Sequence, residues 1–383
     1  MFKVYANRAF LERVLLDETP KNWYNIFMSE NVDEVYIPED LDDEYVDSMG
    51  FNDTIGNLQR LGRITIKNDA EYINDIPNHP NRVLENPNAV FLLDIAPEEA
   101  RKIQEKYGVI CQSIKPNNPI DDSVLTQAYE YNLEDGQVGV DWNVYFDKTN
   151  HALPSNALII CDRYIFSASS ESDEKSIKDA VDLGLKNIRS ILDAVLPRKY
   201  SSVYNVLIVF DSSTLSKSST LNKEGKEEKQ MFKSIVDQLR EDAKSNKKRQ
   251  YKIRFDLISI DSNKMNYAKL HNRRIISNYF IVRAEYKLQA FNENKSRATQ
   301  TIFYDALFSK IVLKPSGPNS PIKSQQQIIK YIQELIENGN CRKYASIIDK
   351  QGEIEITSVC KSCSNRLLKY LNSIYYDLNC RYG

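Results

Sequence analysis

The sequence predicts an α/β protein built from more than one structural unit, on three observations. Short apolar runs alternate with amphipathic segments along most of the 383 residues. The net charge changes sign along the chain: residues 1–150 carry 13 basic and 28 acidic side chains, whereas the remainder has a net charge of +13. The segment 115–123 contains two prolines and two asparagines without apolar periodicity, which predicts a linker.

These observations predict four consecutive parts. They are an acidic α/β region (1–118), a connecting segment (119–150), a basic α/β region (151–313) and a helical C-terminal segment (314–383). The opposite charges of the two halves allow two interpretations. The basic part binds a polyanion, or the halves simply attract each other.

In the acidic region, apolar runs bounded by polar residues predict strands, and one amphipathic segment predicts a helix with two glutamates near its positive end. The predicted elements are strands at 3–6, 34–38 and 88–95 and a helix at 96–108. The dense acidic run 38–47 is typical of solvated surface, with a partner-binding site as the alternative.

In the basic region, three apolar runs predict buried strands and two segments with apolar residues at helical spacing predict helices. The strands are expected at 156–161, 206–211 and 252–261, the helices at 175–196 and around 232–243, and a strand pair at 271–291. Pro197 ends the first of these helices. The polar stretch 215–230 predicts a loop, and an apolar stripe predicts a further helix over 328–339.

Composition excludes several classes of enzyme by their usual signatures. Only 12 glycines are present and none cluster, so neither a dinucleotide-binding G-x-G-x-x-G turn nor a Walker A loop is available. The three histidines, His79, His151 and His271, form no H-E-x-x-H motif, and no G-x-S-x-G is present.

The chain also lacks the patterns of a secreted or membrane protein. The N-terminus has no continuous apolar segment, and no apolar run approaches the ~20 residues that span a bilayer. Six scattered cysteines are too few for a disulfide framework. We therefore expect a cytoplasmic protein with reduced thiols and no membrane span.

The most specific segment begins at His271 and reads H-N-R-R-I-I-S-N. Its spacing of histidine, basic residue and polar residue resembles the H-x-K-x-x-x-x-D motif of the phospholipase D superfamily. The preceding order of strand, helix and strand also resembles that family, over roughly residues 206–291. The resemblance implies a mixed-sheet α/β domain in which His271 is the phosphoryl nucleophile, Arg273 holds phosphate and Asn278 orients a histidine.

Two departures from the family pattern favour a degenerate site. Arg273 stands where lysine is usual, and Asn278 stands where aspartate is usual. An amide orients an imidazole but does not stabilise imidazolium as a carboxylate does. If the site is active, it needs a second histidine as the acid, which a homodimer would supply.

A short internal echo offers another interpretation of the missing histidine. In C-D-R-Y-I-F-S (161–167), the Arg, Ile and Ser positions coincide with those of H-N-R-R-I-I-S (271–277). A pseudo-twofold domain would then carry Cys161 in place of its first histidine. Alternatively, the segment 271–282 is an ordinary strand without a catalytic role.

A second catalytic hypothesis involves metal. Glu285 and Lys287 form an E-x-K tripeptide downstream of Asp261, which resembles the metal-binding core of restriction-endonuclease-like folds. This hypothesis predicts Mg²⁺ dependence, whereas phospholipase D-type chemistry does not.

A run of basic residues predicts where nucleic acid binds. Together with Arg273, the expected phosphate contacts are Lys247, Lys248, Arg249, Arg254 and Arg274, which would share one basic face. Anionic lipid is an alternative ligand. A solvated helix end explains the lysines equally well, because cations favour helix C-termini.

The C-terminal cysteines allow a structural zinc site. Cys360 and Cys363 form a C-x-x-C pair between Cys341 and Cys380, and four thiolates hold Zn²⁺ tetrahedrally. One such pair is a weak signal, so buried free thiols are the alternative.

Taken together, the sequence predicts a nucleic-acid-binding protein within a larger complex, with no required cofactor. The acidic region is expected to dock a protein partner or to screen the basic part. A dimeric, metal-independent phosphodiesterase or nuclease and a scaffold without nucleic-acid contact are the alternatives. The type of fold alone suggests a role in defence against foreign DNA.

Overall fold

The computed structural model describes most of the chain and leaves several segments aside. The described residues are 2–15, 21–28, 32–38, 65–115, 121, 123–133, 142, 146, 153–166, 174–211, 226–244, 249, 251–260, 273–285, 288, 300–309, 320–338, 341–348, 354–355 and 365–369. The predicted acidic run 38–47 lies outside them apart from Pro38.

The N-terminal part forms a five-stranded parallel sheet, sheet A, in the order β3-β2-β1-β4-β5. Its strands are β1 (Phe2–Ala6), β2 (Val32–Ile37), β3 (Thr65–Asn68), β4 (Val90–Leu93) and β5 (Ile110–Ser113). Its helices are α1 (Arg8–Leu15), α2 (Lys21–Met28), α3 (Ala70–Asp75) and α4 (Pro97–Tyr107), with a 3₁₀ helix at Pro80–Glu85.

Side chains of sheet A alternate between two hydrophobic clusters, as a strand covered on both faces requires. On β4, Val90 and Leu92 join the larger cluster, whereas Phe91 and Leu93 join the smaller one. The predicted strands at 3–6, 34–38 and 88–95 and the helix at 96–108 are confirmed.

The rest of the chain builds a nine-stranded mixed sheet, sheet B, in the order β14-β13-β9-β8-β7-β10-β11-β12-β6. The strands are β6 (Ala128–Leu133), β7 (Ala157–Cys161), β8 (Tyr204–Asp211), β9 (Ile253–Ile260), β10 (Arg273–Ser277), β11 (Phe280–Ala284), β12 (Gln300–Ala306), β13 (Cys341–Ile348) and β14 (Ile354–Glu355). The helices are α5 (Glu174–Val195), α6 (Lys226–Lys244), α7 (Pro321–Glu337) and α8 (Arg366–Lys369).

The centre of sheet B is the strand–helix–strand unit that the sequence predicts. Strands β7, β8 and β9 are parallel and almost fully buried. Helix α5 connects the first two strands and α6 connects the second pair. Strand β10 then runs antiparallel to β7 and forms a hairpin with β11. An α/β fold, with a mixed second sheet, is therefore confirmed.

Four details of the predicted elements differ in the structure. The predicted helical C-terminal segment contains β13, which pairs antiparallel with all eight residues of β9. The predicted connecting segment supplies β6, which pairs with β12. Helix α6 begins at Lys226, inside the predicted loop, and α7 begins at Pro321, where the Ser320 side chain accepts a hydrogen bond from the Lys323 backbone N–H.

The two sheets meet at the amino ends of their parallel strands. The turn of the β10–β11 hairpin, Asn278–Tyr279, packs against residues that precede β4 and against Ile110, the first residue of β5. The Tyr279 hydroxyl donates to the Ala89 carbonyl at 2.7 Å and accepts from the Ile110 N–H at 3.1 Å. One hydrophobic cluster continues from Phe2 in β1 to Phe308 beyond β12, whose rings lie 4.9 Å apart.

Gly108 allows this close approach. It ends α4 with φ of +61°, in the left-handed region that favours glycine. A Cβ atom at this position would lie 1.9 Å from the Ser155 carbonyl oxygen, so no side chain fits there. Among the described residues, no helix has both the length and the apolar character needed to cross a membrane.

Candidate functional site

The carboxyl ends of β7, β8 and β9 lie at one edge of sheet B, which we call the carboxyl edge. Strand β10 begins at the same edge, because Arg274 pairs with Cys161, the last residue of β7. In open α/β sheets, ligands usually bind beyond the carboxyl ends of the parallel strands. The amino ends of these strands are occupied by the junction with sheet A, so the carboxyl edge is where a ligand site is expected.

Asp162 shapes the turn that follows β7. Its carboxylate is completely buried and accepts hydrogen bonds from two backbone N–H groups, that of Tyr164 at 2.8 Å and that of Leu288 at 2.7 Å. The first of these is an Asx-type turn, which a short acidic side chain favours. Asp162 therefore fixes the turn and also ties it to the chain beyond β11.

Two arginines converge on one aromatic ring in this turn. The guanidinium carbon of Arg163 lies 5.0 Å from the centre of the Tyr164 ring, and that of Arg273 lies 5.4 Å from it. Both distances are within the range of a cation–π contact. The sequence separates these arginines by more than a hundred residues, and the antiparallel pairing of β7 with β10 brings them together.

The two arginines are held differently. Arg163 Nε donates to Asp211 Oδ2 at 2.8 Å, and Asp211 ends β8 almost fully buried. Arg273 Nη1 donates to the Glu285 carbonyl oxygen at 2.6 Å, but its Nε lies 3.9 Å from Asp162 and makes no hydrogen bond to any described residue. Each side chain retains 13% exposure at the edge of the sheet.

This arrangement has the chemistry of an oxyanion site. A guanidinium is planar, permanently charged and weakly hydrated, and it binds phosphate or carboxylate oxygens in a bidentate manner. We name the cluster of Arg163, Tyr164 and Arg273, with Asp162 and Asp211 beneath it, the arginine–tyrosine cluster.

Neighbouring Cys161 is not suited to nucleophilic chemistry. The pKa of its thiol is raised to about 12, chiefly by burial and also by the adjacent Asp162 carboxylate, although the Arg274 guanidinium opposes the shift. The thiol therefore stays protonated at neutral pH, and a thiol is a poor nucleophile. Burial also lowers the pKa of Arg274, which pairs across the sheet with Cys161 and Arg283.

The residues of the histidine motif fall at both ends of β10. His271 lies outside the described residues, and Arg273 begins the strand at the carboxyl edge. Asn278 follows the strand at the opposite edge, and a rise of about 3.3 Å per residue puts it about 16 Å from Arg273. The structure does not bring Arg273 and Asn278 to one site.

Asn278 instead has a complete set of hydrogen bonds at the junction of the sheets. Its Oδ1 accepts from the backbone N–H groups of Asn156 and Ala157, at 3.0 and 3.1 Å. Its Nδ2 donates to the Pro87 carbonyl oxygen and to the side-chain oxygens of Asn88 and Asn156. These bonds account for a buried amide at this position without any catalytic role.

The internal echo does not correspond to a structural repeat. Residues 273–277 form strand β10, whereas 163–166 form a turn. In the sequence alignment, Arg163 corresponds to Arg273, but the first lies in a turn and the second in a strand. These two described segments are therefore not related by a pseudo-twofold axis. In the E-x-K hypothesis, Glu285 follows β11, while Asp261 and Lys287 lie outside the described residues.

The predicted basic face divides into separate groups. Lys247 and Lys248 lie outside the described residues. Arg249 donates to the last carbonyl oxygens of α5, those of Leu192 and Asp193, and pairs with the Asp193 carboxylate at 3.3 Å. It therefore holds a helix C-terminus, as a cation at that position does.

Arg254 is also engaged within the fold. Both its Nε and its Nη2 donate to the fully buried Asp256 carboxylate, at 3.0 and 3.4 Å. It lies near the start of β9. Arg274 is three strands away across the sheet and about four residues away along the strand direction, which makes a separation on the order of 20 Å. Among the described residues, Arg254 and Arg274 do not share one surface.

Of the four predicted zinc ligands, only Cys341 lies within the described residues. Cys341 begins β13, and burial raises the pKa of its thiol. Cys360, Cys363 and Cys380 lie outside the described residues. No group of three or more metal-ligating side chains occurs in the part of the chain that the structure describes, so zinc binding stays a prediction.

Sequence reasoning missed Asp162, Arg163, Tyr164 and Asp211 as site residues. A signal for them exists, because each comes at or directly after the carboxyl end of an apolar run predicted as a buried strand. Polar residues at that position mark ligand sites in α/β sheets.

Comparison with known proteins adds no family assignment. No protein-family model matches this chain, and no curated protein matches it either. The resemblance to the phospholipase D superfamily therefore stays a prediction that rests on the motif and on the order of strands and helices.

Proposed function

We propose that the chain binds nucleic acid at the carboxyl edge of sheet B, with Arg273 on a backbone phosphate. The observation that carries the proposal is the convergence of Arg163 and Arg273 on the Tyr164 ring where three parallel strands end. Both arginine side chains retain 13% exposure, and Arg273 comes two residues after His271 in the sequence. A single guanidinium recognises phosphate through two parallel N–H donors.

The charge of the chain supports a polyanion over a small anion. Residues 151–383 carry a net charge of +13, which attracts a phosphate polymer before any specific contact forms. The carboxylates of Asp162 and Asp211 balance the arginines locally, so the site itself is close to neutral. We therefore expect moderate affinity, and the overall positive charge of residues 151–383 should make that affinity fall as salt increases.

The first prediction concerns Arg273. Replacing Arg273 with alanine should weaken binding of a fluorescein-labelled oligonucleotide by about 10- to 150-fold, because one charge-assisted hydrogen bond contributes about 1.5–3 kcal/mol. Fluorescence anisotropy measures the affinity for single- and double-stranded DNA and RNA in EDTA. The salt titration should show a smaller slope for the variant, because one phosphate contact is lost.

Arg189→Ala is the matched control. Arg189 is an exposed arginine on α5 that pairs with Asp242 at 2.9 Å, so the variant loses the same charge and a similar ion pair away from the carboxyl edge. Binding by this variant should remain close to that of the unaltered chain. Equal losses in both variants would show a general charge effect and would refute the proposed site.

The alternative functions give different results in the same experiment. Cleavage of the oligonucleotide in EDTA that His271→Ala abolishes would indicate a phosphodiesterase, and cleavage only with Mg²⁺ would favour the Glu285 and Lys287 hypothesis. Binding to vesicles with anionic lipid but not to oligonucleotides would identify a lipid ligand. Binding to neither would leave the scaffold hypothesis.

A further inference from the structure

We infer that Arg163 and Tyr164 are positioning residues, and that Arg273 alone in the arginine–tyrosine cluster contacts the phosphate. The inference rests on the proposed function and assigns a separate role to each member of that site. The two guanidinium groups are held by different contacts at the carboxyl edge, and these contacts separate the roles.

Arg163 is committed to the fold. Its Nε is 2.8 Å from a carboxylate that is itself almost completely buried at the end of β8. The pair is reinforced by the backbone, because the Asp211 N–H donates to the Arg163 carbonyl oxygen at 3.4 Å. A ligand that drew Arg163 away would leave the Asp211 charge buried without this partner, which is costly.

Tyr164 links the fixed Arg163 side chain to Arg273. Its backbone N–H is bonded to Asp162, and its ring lies within cation–π distance of both guanidinium groups. The ring therefore limits where the Arg273 side chain can lie. A guanidinium held on an aromatic ring loses less rotational freedom when it binds a ligand, which is the benefit of preorganisation.

Arg273 is the member with donor capacity left for a ligand. One of its hydrogen bonds goes to a backbone carbonyl oxygen, which carries no net charge, and the nearest carboxylate contact is the 3.9 Å approach of Asp162. Its Nε is buried and makes no hydrogen bond to a described residue, so a phosphate would meet the Nη groups. A phosphate that met Arg273 would thus displace weaker interactions than one that met Arg163.

The slope of affinity against salt separates the two roles, because it counts phosphate contacts and not fold stability. The probe is an oligothymidylate of about 12 nucleotides, which fits the usual range of single-strand sites. For Arg273→Ala, we expect a slope smaller by about 0.7. For Arg163→Ala and Tyr164→Leu, we expect affinity about three- to tenfold lower at an unchanged slope, since a cation–π contact is lost.

Two further variants make the test specific. Tyr164→Phe keeps the ring and should restore the affinity that Tyr164→Leu loses. The double variant Arg163→Ala/Arg273→Ala should bind no more weakly than Arg273→Ala, because Arg163 acts only through Arg273. Tyr164→Leu leaves the Arg163–Asp211 pair intact and so gives an answer even if Arg163→Ala does not fold.

Each remaining outcome is decisive. A slope reduced in Arg163→Ala as much as in Arg273→Ala would show that Arg163 contacts phosphate directly and would overturn the inference. Unchanged affinity in both Arg163→Ala and Tyr164→Leu would also overturn it. If the unaltered chain shows no salt-dependent binding, the proposed function itself is wrong, which is distinct from a failure of the assigned roles.

Discussion

At the scale of single residues, Asn278 shows how one motif position acquires a structural explanation. In the predicted resemblance to the phospholipase D superfamily, Asn278 stands where that family has an aspartate. In the structure, its side-chain oxygen accepts hydrogen bonds from two backbone N–H groups. Its side-chain nitrogen donates to the Pro87 carbonyl oxygen and to Asn156 Oδ1. Only an amide both donates and accepts in this way, so the side chain that departs from the family motif is the one that the junction requires.

Replacing Asn278 with aspartate should therefore destabilise the protein. The carboxylate would still accept from the two N–H groups, but it would not donate to the Pro87 carbonyl oxygen or to Asn156 Oδ1. An unsatisfied buried group costs about 1–3 kcal/mol, and more when it is charged. Urea denaturation followed by circular dichroism measures the change in the free energy of unfolding.

Asn132→Asp serves as the control, because Asn132 is exposed on β6 and should tolerate the same substitution. If Asn278→Asp were as stable as the unaltered chain and cleaved an oligonucleotide in EDTA, the position would belong to a catalytic site after all.

The sequence predicts Arg273 as a candidate phosphate ligand, but it does not predict the partners of that side chain. The motif indicates a phosphate-binding arginine, and the structure places Arg273 at the edge where ligands are expected. The contact with Tyr164 depends on the pairing of β10 with β7, which joins residues far apart in the chain. Spacing within one motif carries no information about that pairing.

At the scale of elements, helix α5 supports the site through one glycine. A Cβ atom on Gly184 would lie 2.5 Å from the Ile165 carbonyl oxygen and 2.6 Å from the Phe166 ring. These residues directly follow Tyr164 in the turn after β7. The absence of a side chain at Gly184 is therefore what lets the turn lie against the helix.

Gly184→Ala should therefore destabilise the protein, although glycine-to-alanine substitutions in helices usually stabilise one. In an exposed helix interior, replacing glycine with alanine stabilises by about 1 kcal/mol. Here the added methyl group should destabilise the protein by about 1–3 kcal/mol, a typical cost of overpacking. It should also weaken oligonucleotide binding, because the turn that carries Arg163 and Tyr164 must shift. Denaturation and anisotropy on the same sample measure both effects.

Asp182→Ala, at an exposed position two residues earlier in α5, is the matched control and should preserve binding. A Gly184→Ala variant that is more stable and binds normally would mean that the helix does not press on the turn.

The central strands β7 and β8 were predictable because each contains an uninterrupted apolar run, at 157–161 and at 206–210. All residues of both strands are buried, and buried parallel strands have such runs. Strand β13 was missed because most of its side chains are only half-buried and Arg342 and Lys343 interrupt its apolar pattern. Pairing with β9, and not local composition, makes it a strand.

At the scale of the whole molecule, the junction leaves both carboxyl edges outside the contact between the sheets. Sheet A meets sheet B through the residues before β4 and β5, and sheet B contributes Ser155, Asn156 and the β10–β11 turn. In each sheet these are the amino ends of the parallel strands. Within the described residues, sheet A therefore does not cover the arginine–tyrosine cluster, and the expectation that the acidic region screens it finds no support in this contact.

The charge asymmetry of the sequence predicts two regions of opposite sign, and it does not reveal how those regions are joined. The junction consists of amides, a tyrosine hydroxyl and aromatic rings: Asn156 Nδ2 donates to the carbonyl oxygens of Pro87 and Gly108, and Phe2 packs on Tyr279. Such contacts are neutral and short-range, so no count of charges identifies them.

The shared core makes a prediction about how the chain unfolds. The chain has two tryptophans, and they report on different sheets. Trp23 packs against Phe10 in α1, which belongs to the part with sheet A. The backbone N–H of Trp142 donates to the Ser190 hydroxyl in α5, which belongs to the part with sheet B. Because one hydrophobic cluster contains both, we expect a single cooperative transition. In Trp23→Phe and in Trp142→Phe, guanidinium curves from the remaining tryptophan should coincide with curves from far-ultraviolet circular dichroism.

Gly108→Ala then tests whether the junction couples the sheets. The substitution adds a methyl group that meets the Ser155 carbonyl oxygen and places alanine in the left-handed region, which alone costs about 1–2 kcal/mol. Strain at a junction within one cooperative unit lowers the stability of the whole unit. Both tryptophan reporters should therefore move to lower guanidinium concentration by the same amount. A shift confined to the Trp23 reporter, with the Trp142 curve unmoved, would show two sheets that unfold independently.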